Sequence, residues 1–333
     1  MFKHCMTGIG ALALAGAVSF GPLPAVAQDR DDWPSSIMVG TASQGGTFFI
    51  YGAGWAGMIQ EMLGVPASSE VTGGPVQNFA LTQSNDVQMS MTTLGPAREA
   101  WDGNSPIVPG VEMRDVRATF PMYQTPFHGA ALAGSGITSI ADLDGKTVGN
   151  GPRGGTCGTY WPQFYEALGV TVNNQFGGAS DLGGQLGDGL IDAFSFCAGL
   201  PIAAYAEIEA QREINFYAFT PEEQAILVEN FPVSAYEIPA GTYTTQTEPM
   251  HSVAMWNFGI AHKDLPQSFV YEVMKVVLDN HDRMMQIHSA SVETLPENWV
   301  HNTFLPFHPG AVQYYKEKGF DIPAELIPDD YQE

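Results

Sequence analysis

One loop occurs twice, in the same setting each time. Val39-Gly40 is followed after four residues by Gly45-Gly46-Thr47, and after three more by Tyr51; Val148-Gly149 is followed at the same spacing by Gly154-Gly155-Thr156 and Tyr160. Each loop comes after a short run suited to a strand, Ile37-Met38-Val39 or Lys146-Thr147-Val148. Each precedes apolar residues at helical spacing, over residues 53–63 and 160–168. Both of these stretches close on Leu-Gly-Val, where glycine supplies the left-handed stop of a helix. A second glycine pair then appears in each copy. Gly73-Gly74 leads to an expected strand at residues 87–91, and Gly177-Gly178 to one at residues 191–195, with the same gap of 14 residues from first glycine to strand. Matched loops in matched order imply two similar α/β lobes, each made of strand–loop–helix units around a mostly parallel sheet. The repeat is too long for a solenoid.

The rest of the chain fits that plan. Its 333 residues exceed what one core usually serves, and 44% hydrophobic with 11% aromatic residues is ample for two. An extended run at residues 127–134 is placed to carry the chain into the second lobe, and residues 252–261 to carry it back. A long helix is expected over residues 266–288 and a last one over residues 311–318. Lobe one is then discontinuous, 28–126 plus 254–333, and lobe two spans 127–253. Two connections make a hinge, and a hinge makes a cleft that can close on a ligand.

Residues 1–27 read as a secretory signal peptide: Lys3, an apolar run over residues 9–20 too short to span a bilayer, and Ala25-Val26-Ala27 as a small-x-small cleavage site. A periplasmic, monomeric protein is expected. Asp and Glu number 36 against 13 Lys and Arg, for a formal charge of −23, which repels nucleic-acid phosphates and excludes that class of partner. Cleavage leaves Cys157 and Cys197, an even pair in an oxidising compartment, so a disulfide is one reading and a buried thiol pair the other.

A glycine-rich turn that opens a helix points free N–H groups outward, and the helix dipole favours an anion there by about 0.3–1 kcal/mol. The two loops therefore offer a candidate ligand site from both lobes: Gln44, Gly46, Thr47, Phe48 and Phe49 on one side, and Arg153, Gly154, Gly155, Thr156 and Cys157 on the other. Arg153 reads either as a bidentate carboxylate clamp or as a solvated loop residue. Neither loop is a Walker A loop, neither fits the dinucleotide fingerprint, and the histidines form no HExxH or ligand-like cluster. No cofactor, metal or catalytic residue is expected.

The same residues resemble the TAXI family of TRAP-transporter solute receptors. The resemblance runs over Val39-Gly40-Thr41 with Gly45-Gly46-Thr47-Phe48-Phe49, Val71-Thr72-Gly73-Gly74-Pro75-Val76-Gln77-Asn78, Met122-Tyr123-Gln124-Thr125-Pro126-Phe127-His128, Asp188-Gly189-Leu190-Ile191-Asp192-Ala193, Ala198-Gly199-Leu200-Pro201 and Leu305-Pro306-Phe307-His308-Pro309-Gly310-Ala311. It implies a type II periplasmic binding-protein fold, a small organic ligand and a TRAP membrane permease as partner. It adds Asn78, Tyr123 and Gly199 to the residues expected at the cleft. The chain departs from the family in carrying Phe48-Phe49 for a common Tyr-Tyr pair, and Arg153-Gly154-Gly155-Thr156-Cys157 for the usual Gly-Ser-Gly-Thr-Glu. Loss of the acid and gain of arginine favour an anionic ligand, an organic acid or dicarboxylate, over an amino acid. A receptor of the ABC type, a glutamate-like ligand, and a periplasmic enzyme with Cys157 as nucleophile are the alternatives.

Overall fold

The computed structural model describes residues 30–332, and Met1 besides; the expected signal peptide, residues 1–27, lies outside the described residues. The first copy of the repeat forms β1 (Ile37–Gly40), α1 (Thr47–Leu63), β2 (Ala67–Glu70), α2 (Pro75–Gln83), β3 (Met89–Thr93) and α3 (Leu94–Trp101). A 17-residue strand, β4 (Val116–Leu132), then leads into the second copy: β5 (Thr147–Gly149), α4 (Thr156–Ala167), β6 (Asn173–Gln175), α5 (Ala179–Gly187) and β7 (Ala193–Cys197). Lobe two is completed by α6 (Ala203–Glu209), β8 (Ile214–Tyr217), α7 (Pro221–Asn230) and β9 (Ser234–Ile238). The chain returns along β10 (Met250–His262) and ends in α8 (Gln267–Leu278), α9 (His281–Ile287) and α10 (Pro309–Glu317).

Sheet order carries the repeat into three dimensions. The sequence of neighbours is β2-β1-β3-β10-β4-β7-β5-β6, with β8 on β4 and β9 on β10. Thus β1 sits between β2 and β3, parallel to both, as β5 sits between β6 and β7. The antiparallel strands β4 and β10 run through both halves. Each half has its own apolar core. One is built from residues between Ile37 and Tyr123 and between Phe258 and Leu326, the other from residues between Phe127 and Met255. The chain passes between the cores at two places only a few residues long, on adjacent strands, which is the geometry of a hinge. This is the two-lobed type II periplasmic binding-protein fold.

Local signals explain the elements. Helix α1 buries Phe48, Tyr51, Trp55, Met58 and Ile59, a single stripe at helical spacing, and stops where Gly64 takes φ +75. Its counterpart α4 ends before Gly169, at φ +72. The long helix expected over residues 266–288 is instead two helices. Asn280 turns its side-chain amide back onto the carbonyls of Lys275 and Val276, at 3.2 and 3.1 Å, satisfying groups that a continuing helix would use itself. With Asn280 at φ −122 and ψ 44, α9 sets off as a separate turn.

Candidate functional site

Helices α1 and α4 each begin at the carboxyl end of a parallel strand, behind glycine N-caps Gly46 and Gly155 that provide no side-chain cap. Both open into one crevice between the lobes. It has about 420 Å³ of empty space, counting its mouth. Its walls include Thr47 and Phe48 from lobe one, and Gly155, Thr156 and Cys157 from lobe two. The backbone N–H groups of Thr47, Phe48, Thr156 and Cys157 lie in these first turns, and none has a protein acceptor among the described residues. Cys157 is bridged to Cys197, 40 residues on, and this disulfide fixes the first turn of α4 to the end of β7 within the crevice wall.

The other glycine pairs do something different. They dock the lobes on each other. At one edge the amides of Val76 and Gln77, which open α2, donate to the Gly154 carbonyl at 3.0 and 3.2 Å. At the other edge the amide of Ser180, which opens α5, donates to the Gln44 carbonyl at 3.1 Å, and that of Ala179 to Ser43 Oγ at 3.2 Å. Ala204, in the first turn of α6, donates to the Gly45 carbonyl at 3.1 Å. The two edges are related by the repeat one residue out of step: Val76 and Ser180 hold equivalent places after the second glycine pair, but Val76 donates to Gly154 and Ser180 to Gln44, the residue before Gly154's counterpart Gly45. Each lobe thus caps a helix of the other. Bare backbone makes this approach possible, since a Cβ on Gly74 would lie 3.2 Å from Gly155 Cα. Tyr160 of α4 adds a side-chain tie, donating to Glu99 Oε1 of α3 at 2.7 Å. Burial holds the Glu99 carboxyl above its ordinary range.

The expected site residues divide accordingly. Gly46, Thr47, Phe48, Gly155, Thr156 and Cys157 line the crevice. Gln44 is exposed and acts through its carbonyl, as Gly154 does. Phe49 is half-buried outside the lining. Asn78 is buried behind it, its amide bracing the carbonyls of Thr41 and Met91 at 2.8 Å each. Tyr123 is fully buried against Phe48 and Tyr51. Gly199 presses on Tyr123, 2.6 Å from where a Cβ would stand, and its carbonyl accepts the Thr47 hydroxyl at 2.6 Å. Arg153 does not reach the lining: it is exposed, with its guanidinium stacked 3.8 Å above the Phe176 ring. Among the described residues, no ionisable side chain lines the crevice, its two cysteines being bridged.

Several lining or supporting residues are not expected from the sequence, and the polar ones are Ser43, Thr93, Thr125 and Asn257. Ser43 is adjacent to the first loop. Thr93 ends β3 at the position equivalent to Cys197 in the second copy, so the repeat itself points to it. Thr125 lies on β4 beside the crossing, and Asn257 sits on β10 at an irregularity in its register with β4, between Trp256 and Phe258. Such an irregularity re-aims a side chain, and only the folded pairing reveals it.

The crevice, its hinge and its docked edges define a two-lobed binding protein in fold. The chain belongs to the NMT1-like family, whose pattern matches residues 39–319. Among solved structures it is similar to the periplasmic binding protein BugD, at 15% identity and a TM-score of 0.55, over 86% of this chain and 99% of that one. It is similar to MatC from Rhodopseudomonas palustris with bound malate, at 14% identity and a TM-score of 0.55, over 85% of this chain and 96% of that one. A periplasmic transporter structure aligns at 15% identity and a TM-score of 0.50, over 85% and 92% of the two chains. At these identities the likeness is one of fold.

Proposed function

We propose that the protein is an exported solute receptor that closes its lobes on a small organic-acid anion and delivers it to a membrane permease of the TRAP type. The observation that carries the ligand class is the pair of uncapped helix mouths, α1 and α4, facing one crevice whose lining, among the described residues, holds no ionisable side chain. Free amides and helix dipoles stabilise a carboxylate. A zwitterion would bring its ammonium to a wall with no carboxylate to meet it, and burying that charge unpaired is costly. Anion selection therefore rests on backbone amides and hydroxyls, with Arg153 at the rim. The permease type and the periplasmic location rest on the motif resemblance and the amino-terminal segment.

Titration calorimetry of the mature protein against matched pairs, each an amino acid and the same acid without its amine, tests the ligand class. The acid is expected to bind more tightly in each pair; tighter binding by the amino acids sinks the proposal. For the permease, uptake in cells should stop when the ion gradient is collapsed and survive depletion of ATP.

A further inference from the structure

The crevice floor carries a chain of hydroxyls whose direction is set from one end. Asn257, fully buried on β10, holds its Nδ2 at 2.7 Å from the Tyr123 carbonyl oxygen and 2.6 Å from Thr125 Oγ1. A carbonyl oxygen only accepts, so turning the amide round would set two acceptors face to face. Asn257 Oδ1 must then face Thr93, whose hydroxyl donates to it at 2.8 Å. With that proton committed, Thr93 Oγ1 accepts from the Thr156 hydroxyl at 2.9 Å. Two properties of the lining follow. Thr125 accepts from Asn257 and its own proton has no acceptor among the described residues, so it is free for the crevice. Thr156 has used its proton on Thr93 and turns only lone pairs to the crevice.

We infer that Asn257 is a specificity-determining residue, acting through these threonines, and that it tunes the site for a hydroxycarboxylate. Thr125 donates to an anionic oxygen, while Thr156 accepts from a neutral hydroxyl on the ligand. An oxo acid sets its carbonyl against the Thr156 lone pairs, and the acid lacking any substituent leaves them unsatisfied in a buried site. The inference rests on the organic-acid reading above and narrows it.

Calorimetry on the mature protein tests it with two sets that differ only at carbon 2: succinate, malate, oxaloacetate and aspartate, then propionate, lactate, pyruvate and alanine. In the set that binds, the hydroxy acid is expected to be at least about tenfold tighter than the oxo and unsubstituted acids, as a buried partner left unpaired costs roughly 1–3 kcal/mol. Thr93→Val, a close match in shape, releases the Thr156 proton to the crevice, so the hydroxy-to-oxo preference should fall to one or below. A purely structural role for the chain would weaken all ligands alike and leave the ratio in place. An oxo or unsubstituted acid binding as tightly as the hydroxy acid in the parent overturns the inference, whatever the variant does. A parent ratio that survives Thr93→Val overturns it too, as does a parent that takes only acids lacking a hydroxyl. Binding of no carboxylate at all, or of amino acids alone, would instead remove the organic-acid reading itself.

Discussion

Gly45 is where closure of the lobes can be tested without touching the ligand. It does not line the crevice, stands at φ +87, and a Cβ on it would lie 2.5 Å from Ser180 Oγ and 2.9 Å from the Ser180 amide nitrogen. The hydroxyl can rotate aside, but the nitrogen is part of the α5 backbone and yields only if the lobes part. Gly45→Ala therefore threatens three hydrogen bonds across this edge: Ser180 N to Gln44 O, Ala204 N to Gly45 O, and Ala179 N to Ser43 Oγ. At about 0.5–1.5 kcal/mol each, net of the water that replaces them, the closed state loses about 2–4 kcal/mol. That corresponds to an apparent affinity roughly 30- to 1,000-fold weaker, since binding must now drive closure as well. The left-handed conformation costs an alanine a further ~1–2 kcal/mol, but in open and closed states alike. That part appears as a lower melting temperature of the unliganded variant. Calorimetry with the tightest carboxylate gives the affinity, and small-angle scattering with the same ligand gives the closure. If Gly45→Ala binds within threefold of the parent and contracts to the same radius of gyration, the docked edges do not set affinity and the reasoning fails.

Arg153→Ala should change affinity by less than about threefold, through a salt-dependent association rate, because its guanidinium rests on Phe176 outside the lining; a loss of a hundredfold would place it on the ligand after all. Replacing both Cys157 and Cys197 by serine opens a 40-residue loop, and the chain-entropy relation puts the loss of stability at about 4 kcal/mol. An unchanged urea midpoint would refute that figure. Burial lowers His128 and His308 to about 3, against about 6.5 when unfolded. The unfolded chain therefore binds the extra protons as pH falls below 6.5, and stability drops with it, by about 2 kcal/mol per histidine at pH 5. A melting temperature that stays level from pH 7 to pH 5 would contradict this.

The sequence is most legible where structure is local. The strand, the glycine turn and the helix of each copy sit within a few residues of one another, so the spacing of Val39-Gly40 to Tyr51 and of Val148-Gly149 to Tyr160 is enough to place them, and Gly64 and Gly169 to stop the helices. Asn280 shows the limit of periodicity: apolar positions continue through it at helical spacing, yet one amide side chain competes for two carbonyls and divides the helix. The site is harder to read because what a glycine-edged helix mouth does depends on what stands opposite. Among the described residues four helices, α1, α2, α4 and α5, start behind glycine N-caps. A glycine N-cap by itself does not tell the four apart. In the folded chain α2 and α5 have their amides occupied by carbonyls or a hydroxyl of the opposite lobe, while those of α1 and α4 remain open to the crevice. Docking and binding thus use the same local device, and the meeting of the lobes assigns the roles. Arg153 follows the same logic. Its neighbour Gly154 must press its carbonyl against α2, at Val76 and Gln77, and Arg153 itself stacks on Phe176 at the edge, so the residue that looks most like an anion ligand in the sequence stands outside the crevice. Asn257, far along the chain and without a motif around it, is brought behind the floor by the pairing of β10 with β3 and β4. A residue whose effect passes through Thr93 and Thr125 can be found only once those partners have been assembled.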